Sequence, residues 1–179
     1  MPATVYLIVG LPGAGKTTRA KQLEIGAPAL RLTPDEWQIA LFGDQNPPDK
    51  RDLVEGKLVA IGMRAVQLGI NVVLDFGFWG TDERSALRWI AAAVGARAEV
   101  VYLPIEHEER RRRVTKRFLE MPESTFHMSD VELAQWRMQF QPPDEDELRG
   151  AGIPPVPPEY VTWSHWASQR WPSLPDQYA

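Results

Sequence analysis

Short apolar runs alternate along the chain with longer stretches in which apolar residues recur every three or four positions. From Thr4 to about Leu119, four segments read as strands: TVYLIVG, ALRL, NVVLDFG and AEVVYLPI. Each is β-branched or apolar almost throughout, as strands covered on both faces are. Between them the period lengthens to that of a helix. Leu53–Leu68 sets Val54, Leu58, Ile61, Ala65 and Leu68 on one face and is closed by Gly69, although Gly56 and Gly62 weaken its helical propensity. A second helix is predicted over Asp82–Val94, with Leu87, Ile90, Ala91 and Val94 inward, and a third over Glu106 to about Glu120. SDVE at Ser129–Glu132 is a capping box opening a helix through Phe140. Strands alternating with helices predict an α/β fold: three layers, a mostly parallel sheet with helices on both faces.

After QPPDEDEL the pattern changes. The chain turns proline-rich and then aromatic, so residues 1–148 read as one domain and 149–179 as a Pro/Trp-rich tail. Trp163, Trp166 and Trp171 fit either a packing arm over exposed apolar surface or a contact that stacks on an aromatic acceptor or joins two copies in a homodimer.

Composition narrows the partners. The 179 residues are 44% hydrophobic, enough for one domain with a substantial core. A net charge of -4 argues against nucleic acid as a general partner, which would call for a basic excess. There is no cysteine, hence no disulfide, thiolate catalysis or zinc-thiolate site. No apolar run approaches the ~20 residues of a membrane span, and the first residues lack a signal-peptide pattern, so a cytoplasmic setting is expected. His107, His127 and His165 show no metal-ligand spacing.

The most specific chemistry lies at the first strand–helix junction. Gly10, Gly15, Lys16 and Thr17 satisfy G-x-x-x-x-G-K-[ST], with a strand before and a helical pattern after. Gly10, Leu11, Pro12, Gly13, Ala14 and Gly15 would curl so that backbone N–H groups converge on phosphate oxygens, beside the positive end of the next helix. Lys16 would reach the β- and γ-phosphates, Thr17 would offer its hydroxyl to Mg2+, and Thr18 would contact the α-phosphate. A nucleoside triphosphate is therefore the expected ligand. Asp75, ending NVVLD at the carboxyl end of a neighbouring strand, is a second candidate for holding Mg2+.

TPDEW offers a choice. Thr33 suits the N-cap, Pro34 the first helical position and Glu36 the far side of a capping box, which sets Asp35 in the first turn. There Asp35 either complements the helix dipole or serves as a general base for an acceptor hydroxyl. Further on, HEERRRRVTKR packs six cations into eleven residues. Glu106 with Arg110 and Glu109 with Arg113 could form a solvated ion-paired helix. Arg110, Arg113 and Arg117 also form a stripe, expected opposite Val114, Phe118 and Met121, that suits a helical lid over about 106–128 closing on phosphate charge. Arg113 and Arg117 lead as catalytic candidates. Trp37, Phe76, Phe78 and Trp79 are candidates for lining the acceptor pocket.

Taken together, GLPGAGKTT, LTPDEW, VVLDFGFW, ERRRRVTKR and FQPPDEDEL resemble the small P-loop kinase-like group that includes zeta-toxin, polynucleotide-kinase and chloramphenicol-phosphotransferase relatives, over roughly Thr4–Leu148. The resemblance implies an ATP- and Mg2+-dependent phosphotransferase in which Asp35 deprotonates an acceptor hydroxyl. It also implies lid arginines near Arg113 and Arg117 and adenine contacts after the lid. A hydroxyl of a small molecule is the expected acceptor. The alternatives are a polynucleotide 5′-hydroxyl kinase and a nucleotide-binding ATPase or switch, although the guanine-reading NKxD run of a GTPase is absent.

Overall fold

The computed structural model describes residues 2–43, 47, 49–120 and 128–178. Four strands, β1 (Thr4–Val9), β2 (Ala29–Leu32), β3 (Asn71–Gly77) and β4 (Arg97–Tyr102), form a parallel sheet in the order β2-β3-β1-β4. The apolar runs thus become strands as their pattern predicts. The two flanking strands depart from full burial, because an edge position leaves one side uncovered: Leu30 of β2 is exposed, and Val100 is the one apolar residue of β4 that is fully buried. β4 also stops at Tyr102, short of the predicted Ile105.

Strand alternation divides the core. Val5, Leu7 and Val9 of β1 face one way with Val72 and Leu74 of β3, against α3 (Arg51–Gln67) and α4 (Thr81–Ala93). Ile8 and Val73 face the other way, under Ala20 of α1 (Lys16–Gly26). Helices therefore cover both faces. α3 ends where Gly69 takes a left-handed conformation, φ 82°, which a residue with a Cβ adopts at a cost.

The other elements attach to this frame. α2 (Pro34–Phe42) follows β2, and α5 (His107–Glu120) follows β4. The capping box predicted at Ser129 is present: Ser129 Oγ accepts from the Glu132 N–H and opens α6 (Asp130–Gln139). Met121 and His127, with the end of the expected lid, lie outside the described residues.

The proline-rich segment carries α7 (Glu145–Leu148) and leads to α8 (Trp163–Arg170). α8 lies on α4, and Trp163, Ala167, Trp171, Leu174 and Tyr178 are buried in the same core cluster as β1 and β3. Residues 163–178 thus help complete the main core, as a packing arm does. Arg84 of α4, fully buried, ties the preceding segment down. It pairs with Glu147 and donates to the carbonyls of Phe78, Trp79 and Gln141.

Candidate active site

The sheet order sets the site. β1 and β3 are adjacent and parallel, so the loop after β1 and the end of β3 emerge side by side. Their pairing is irregular there. Leu7 faces Leu74 and Val9 faces Gly77, so two steps of β1 span three of β3. Asp75 lies in this bulge, a device that re-aims side chains.

The phosphate loop occupies residues 10–15, and Gly15 is the N-cap of α1. Gly13 (φ 84°) and Gly15 (φ 89°) hold left-handed conformations that let the backbone curl. Lys16 Nζ donates to the Leu11 carbonyl at 3.1 Å, folding over the loop. Burial pushes Lys16 down to about 8, partly opposed by Asp75 and Asp35, while Arg51 and Arg117 depress it further. Asp75, Asp35 and Arg117, all selected from the sequence, thus lie within electrostatic reach of Lys16. Thr17 and Thr18 are exposed on the first turn of α1.

Asp75 is buried, and its Oδ2 accepts from Arg31 Nη1 at 3.2 Å. Burial raises its pKa against the pull of Lys16 and Arg31, and Asp35 adds to the rise. Asp35 sits in the first turn of α2 with its side chain 62% exposed, its Oδ1 3.0 Å from Arg51 Nη1. The capping box predicted around it does not form. Thr33 is the N-cap residue without a side-chain cap bond, and Glu36 pairs instead with Arg31. A guanidinium is a stronger partner for a carboxylate than a backbone N–H.

The arginine helix also differs from its prediction. Arg110 and Val114 do not lie on opposite faces: a Cβ on Gly13 would stand 3.1 Å from Val114 Cγ2 and 3.4 Å from Arg110 Cγ. Residues four apart share a helix face, so both cover the phosphate loop. Arg110 is buried and donates to the Leu133 carbonyl; burial and Arg137 push its pKa down. Arg113 is exposed and paired with Glu109 at 2.6 Å. Arg117 acts on Lys16. Of the aromatic candidates, Phe76 and Phe78 stack within the core, centroids 5.0 Å apart, Trp79 lies 6.0 Å from Trp136, and Trp37 is exposed.

Sequence reasoning missed Arg31 and Arg51. Arg31 joins Asp75 to Glu36 and Glu24, and Arg51 joins Asp35 to Glu55. A signal for Arg31 existed, a lone charge inside the strand ALRL. Arg51, in a polar run, carried none.

The residues present fit Mg2+. Thr17 is an exposed hydroxyl beside the loop, and Asp75 is a buried carboxylate at the facing strand end, a hard oxygen donor set. Among the described residues no group of three or more His, Asp or Glu forms a protein-only metal cage.

A family model for the AAA domain matches residues 5–143, from the first strand through the segment after α6. The chain belongs to this family. The AAA-domain match includes the phosphate loop, both aspartates and the arginine helix. Solved structures repeat its fold. Chaetomium thermophilum Kti12 in complex with ADP-AlF3 aligns with a TM-score of 0.61 at 17% identity, over 96% of this chain and 99% of that one. The Mycobacterium tuberculosis APS kinase CysC, in complex with AMPPNP and APS, aligns at 0.60 and 18% identity, over 80% and 85%. A gluconokinase from Sinorhizobium meliloti 1021 aligns at 0.53 and 17% identity, over 81% and 78%. No curated protein matches the chain. Among the described residues, no helix is long and apolar enough to cross a membrane.

Proposed function

We propose that this protein is an ATP-dependent kinase that transfers the γ-phosphoryl group to a hydroxyl of a small molecule, with Asp35 as general base. The observation that carries the proposal is the placing of Asp35 in the first turn of α2, its carboxylate exposed and held 3.0 Å from Arg51, with Asp75 in the β3 bulge beside the phosphate loop. A loop that only held phosphate would need Lys16. An ionisable carboxylate on the acceptor side, open to solvent and tied to a guanidinium, suits proton removal from a second substrate.

In this mechanism free backbone N–H groups toward the end of the phosphate loop and the Lys16 ammonium hold the phosphates. Asp35 accepts the acceptor hydroxyl proton, the oxygen's electron pair forms the new bond to the γ-phosphorus, and the bond to the β–γ bridging oxygen breaks to release ADP. Arg117, whose charge already reaches Lys16, stabilises the negative charge on the phosphoryl oxygens, with Arg113 as a second candidate after rotation away from Glu109. Mg2+, when bound, offsets phosphate charge, and Thr17 and Asp75 are the residues that would hold it.

The test is a panel of hydroxylated metabolites incubated with ATP and Mg2+ and read by phosphorus NMR. One new phosphomonoester is expected. Asp35→Asn should slow its formation by about 10²-fold or more while ATP affinity stays near wild type. Undiminished transfer by Asp35→Asn would remove Asp35 as base.

A further inference from the structure

Arg170 and Trp171 end α8, far along the chain from Asp35, yet a continuous line of hydrogen bonds joins them. Trp171 Nε1 and Arg170 Nη2 each reach Glu55 Oε2 at 3.2 Å. The other oxygen of the same carboxylate, Oε1, accepts from Arg51 Nε at 2.8 Å. Arg51 Nη1 in turn donates to Asp35 Oδ1 at 3.0 Å, with Gln38 Oε1 at 3.5 Å. Arg170 is itself anchored by Asp52 and Glu83.

The line is built in a place where charge is expensive. The Glu55 side chain is 5% exposed and Trp171 is fully buried. Burial raises the Glu55 pKa against Arg51, Arg170 and the Trp171 N–H. An apolar side chain of similar volume would fill such a site without that penalty. What the carboxylate adds is direction. A guanidinium is a rigid planar fork, so fixing Nε fixes where Nη1 points, and here it points at an otherwise exposed carboxylate.

We propose that Trp171 and Arg170 are positioning residues for Asp35, acting through Glu55 and Arg51. The C-terminal segment thereby completes the acceptor side of the site. The inference rests on the reading of Asp35 as general base for its meaning in catalysis, while the coupling itself is measurable without activity.

The experiment uses the full chain labelled with 15N-arginine and 13C-aspartate, the Arg51 and Asp35 signals being assigned with Arg51→Lys and Asp35→Asn. Trp171→Phe retains a ring and removes the donor, and Glu55→Gln retains the volume and removes the charge. Exchange of the Arg51 Nε proton with water should quicken about fivefold in Trp171→Phe, the effect of about one hydrogen bond, and further in Glu55→Gln. The Asp35 carboxyl signal should move in both. ATP turnover with the hydroxyl panel should lose kcat at unchanged KM for ATP, a split that general loosening of the fold would not produce. Where Trp171→Phe fails to fold, Glu55→Gln and Arg170→Gln supply the same readouts. Arg51 and Asp35 signals unchanged in folded variants overturn the proposal. Transfer that survives Asp35→Asn instead overturns the base assignment and leaves the coupling to be judged by its own signals.

Discussion

Lys16 carries the most informative chemistry at the scale of one residue. Its ammonium is held at about 8, because burial outweighs the two aspartates. Phosphate oxygens favour the protonated form, so above about pH 8 ATP must bring a proton with it. Apparent ATP affinity should fall by up to about tenfold per pH unit over that range, and calorimetry in buffers of different ionisation enthalpy should report proton uptake. A pH-independent affinity through about pH 9.5 would refute this account. The folded chain binds fewer protons at this site than the unfolded chain between about 8 and 10.5. Stability should therefore rise with pH across that window relative to Lys16→Met. Arg31 and Arg51 show a different lesson at this scale. Each joins nearby carboxylates to one that is distant in sequence, Asp75 for Arg31 and Asp35 for Arg51, and contact reveals that partner.

Among the elements, α3 does the most. It carries Arg51 and Glu55 toward the site, and its Gly56 faces the C-terminal segment. In the sequence Gly56 looks like a weakness in a helix, since alanine there would gain ~1 kcal/mol of propensity. In the fold it is an opening: an added Cβ would stand 2.5 Å from Ser173 Oγ, 3.0 Å from Leu174 N and 3.1 Å from Trp171 Cβ. Gly56→Ala should accordingly destabilise by about 1–3 kcal/mol, through overpacking that outweighs propensity. Urea unfolding would measure the loss, and red-shifted tryptophan emission would show the segment lifting. A variant as stable as wild type would mean that the segment yields without cost. α5 is a second case, since its register brings Arg110 and Val114 over Gly13 and leaves Arg113 with Glu109.

Across the whole molecule, the buried pair of Arg84 and Glu147 connects the end of β3 to the segment between α6 and α8. Arg84 is fully buried, and its other donors go to the carbonyls of Phe78, Trp79 and Gln141 and to the Thr81 hydroxyl. Glu147→Ala would strand a guanidinium in the core. A loss of about 3–5 kcal/mol is expected, seen as a lower Tm. The double change Arg84→Met, Glu147→Leu should recover only part of it, because the carbonyls held by Arg84 would still lack their donor. A change below about 1 kcal/mol for Glu147→Ala would show that the pair is dispensable.

The four strands, the α1, α3, α4, α5 and α6 helices and the phosphate loop were legible in the chain, because each is a local pattern. Hydrophobic period, capping residues and glycine spacing act within a dozen positions. The same locality made Lys16, Thr17, Asp35 and Asp75 visible as candidates at strand ends. Local patterns also misled where a distant partner was stronger. Glu36 left its predicted capping box for Arg31, and the edge strands stayed partly exposed. Tertiary structure alone decided that the tryptophan-rich tail closes the main core, that Arg51 holds Asp35, and that Glu55 ties both to residue 171. The first follows from burial of apolar surface, the others from polar groups meeting partners 16 and 116 residues away in sequence. Nothing in the spacing of the sequence encodes such a meeting; the packing of α3 against the sheet and the tail produces it.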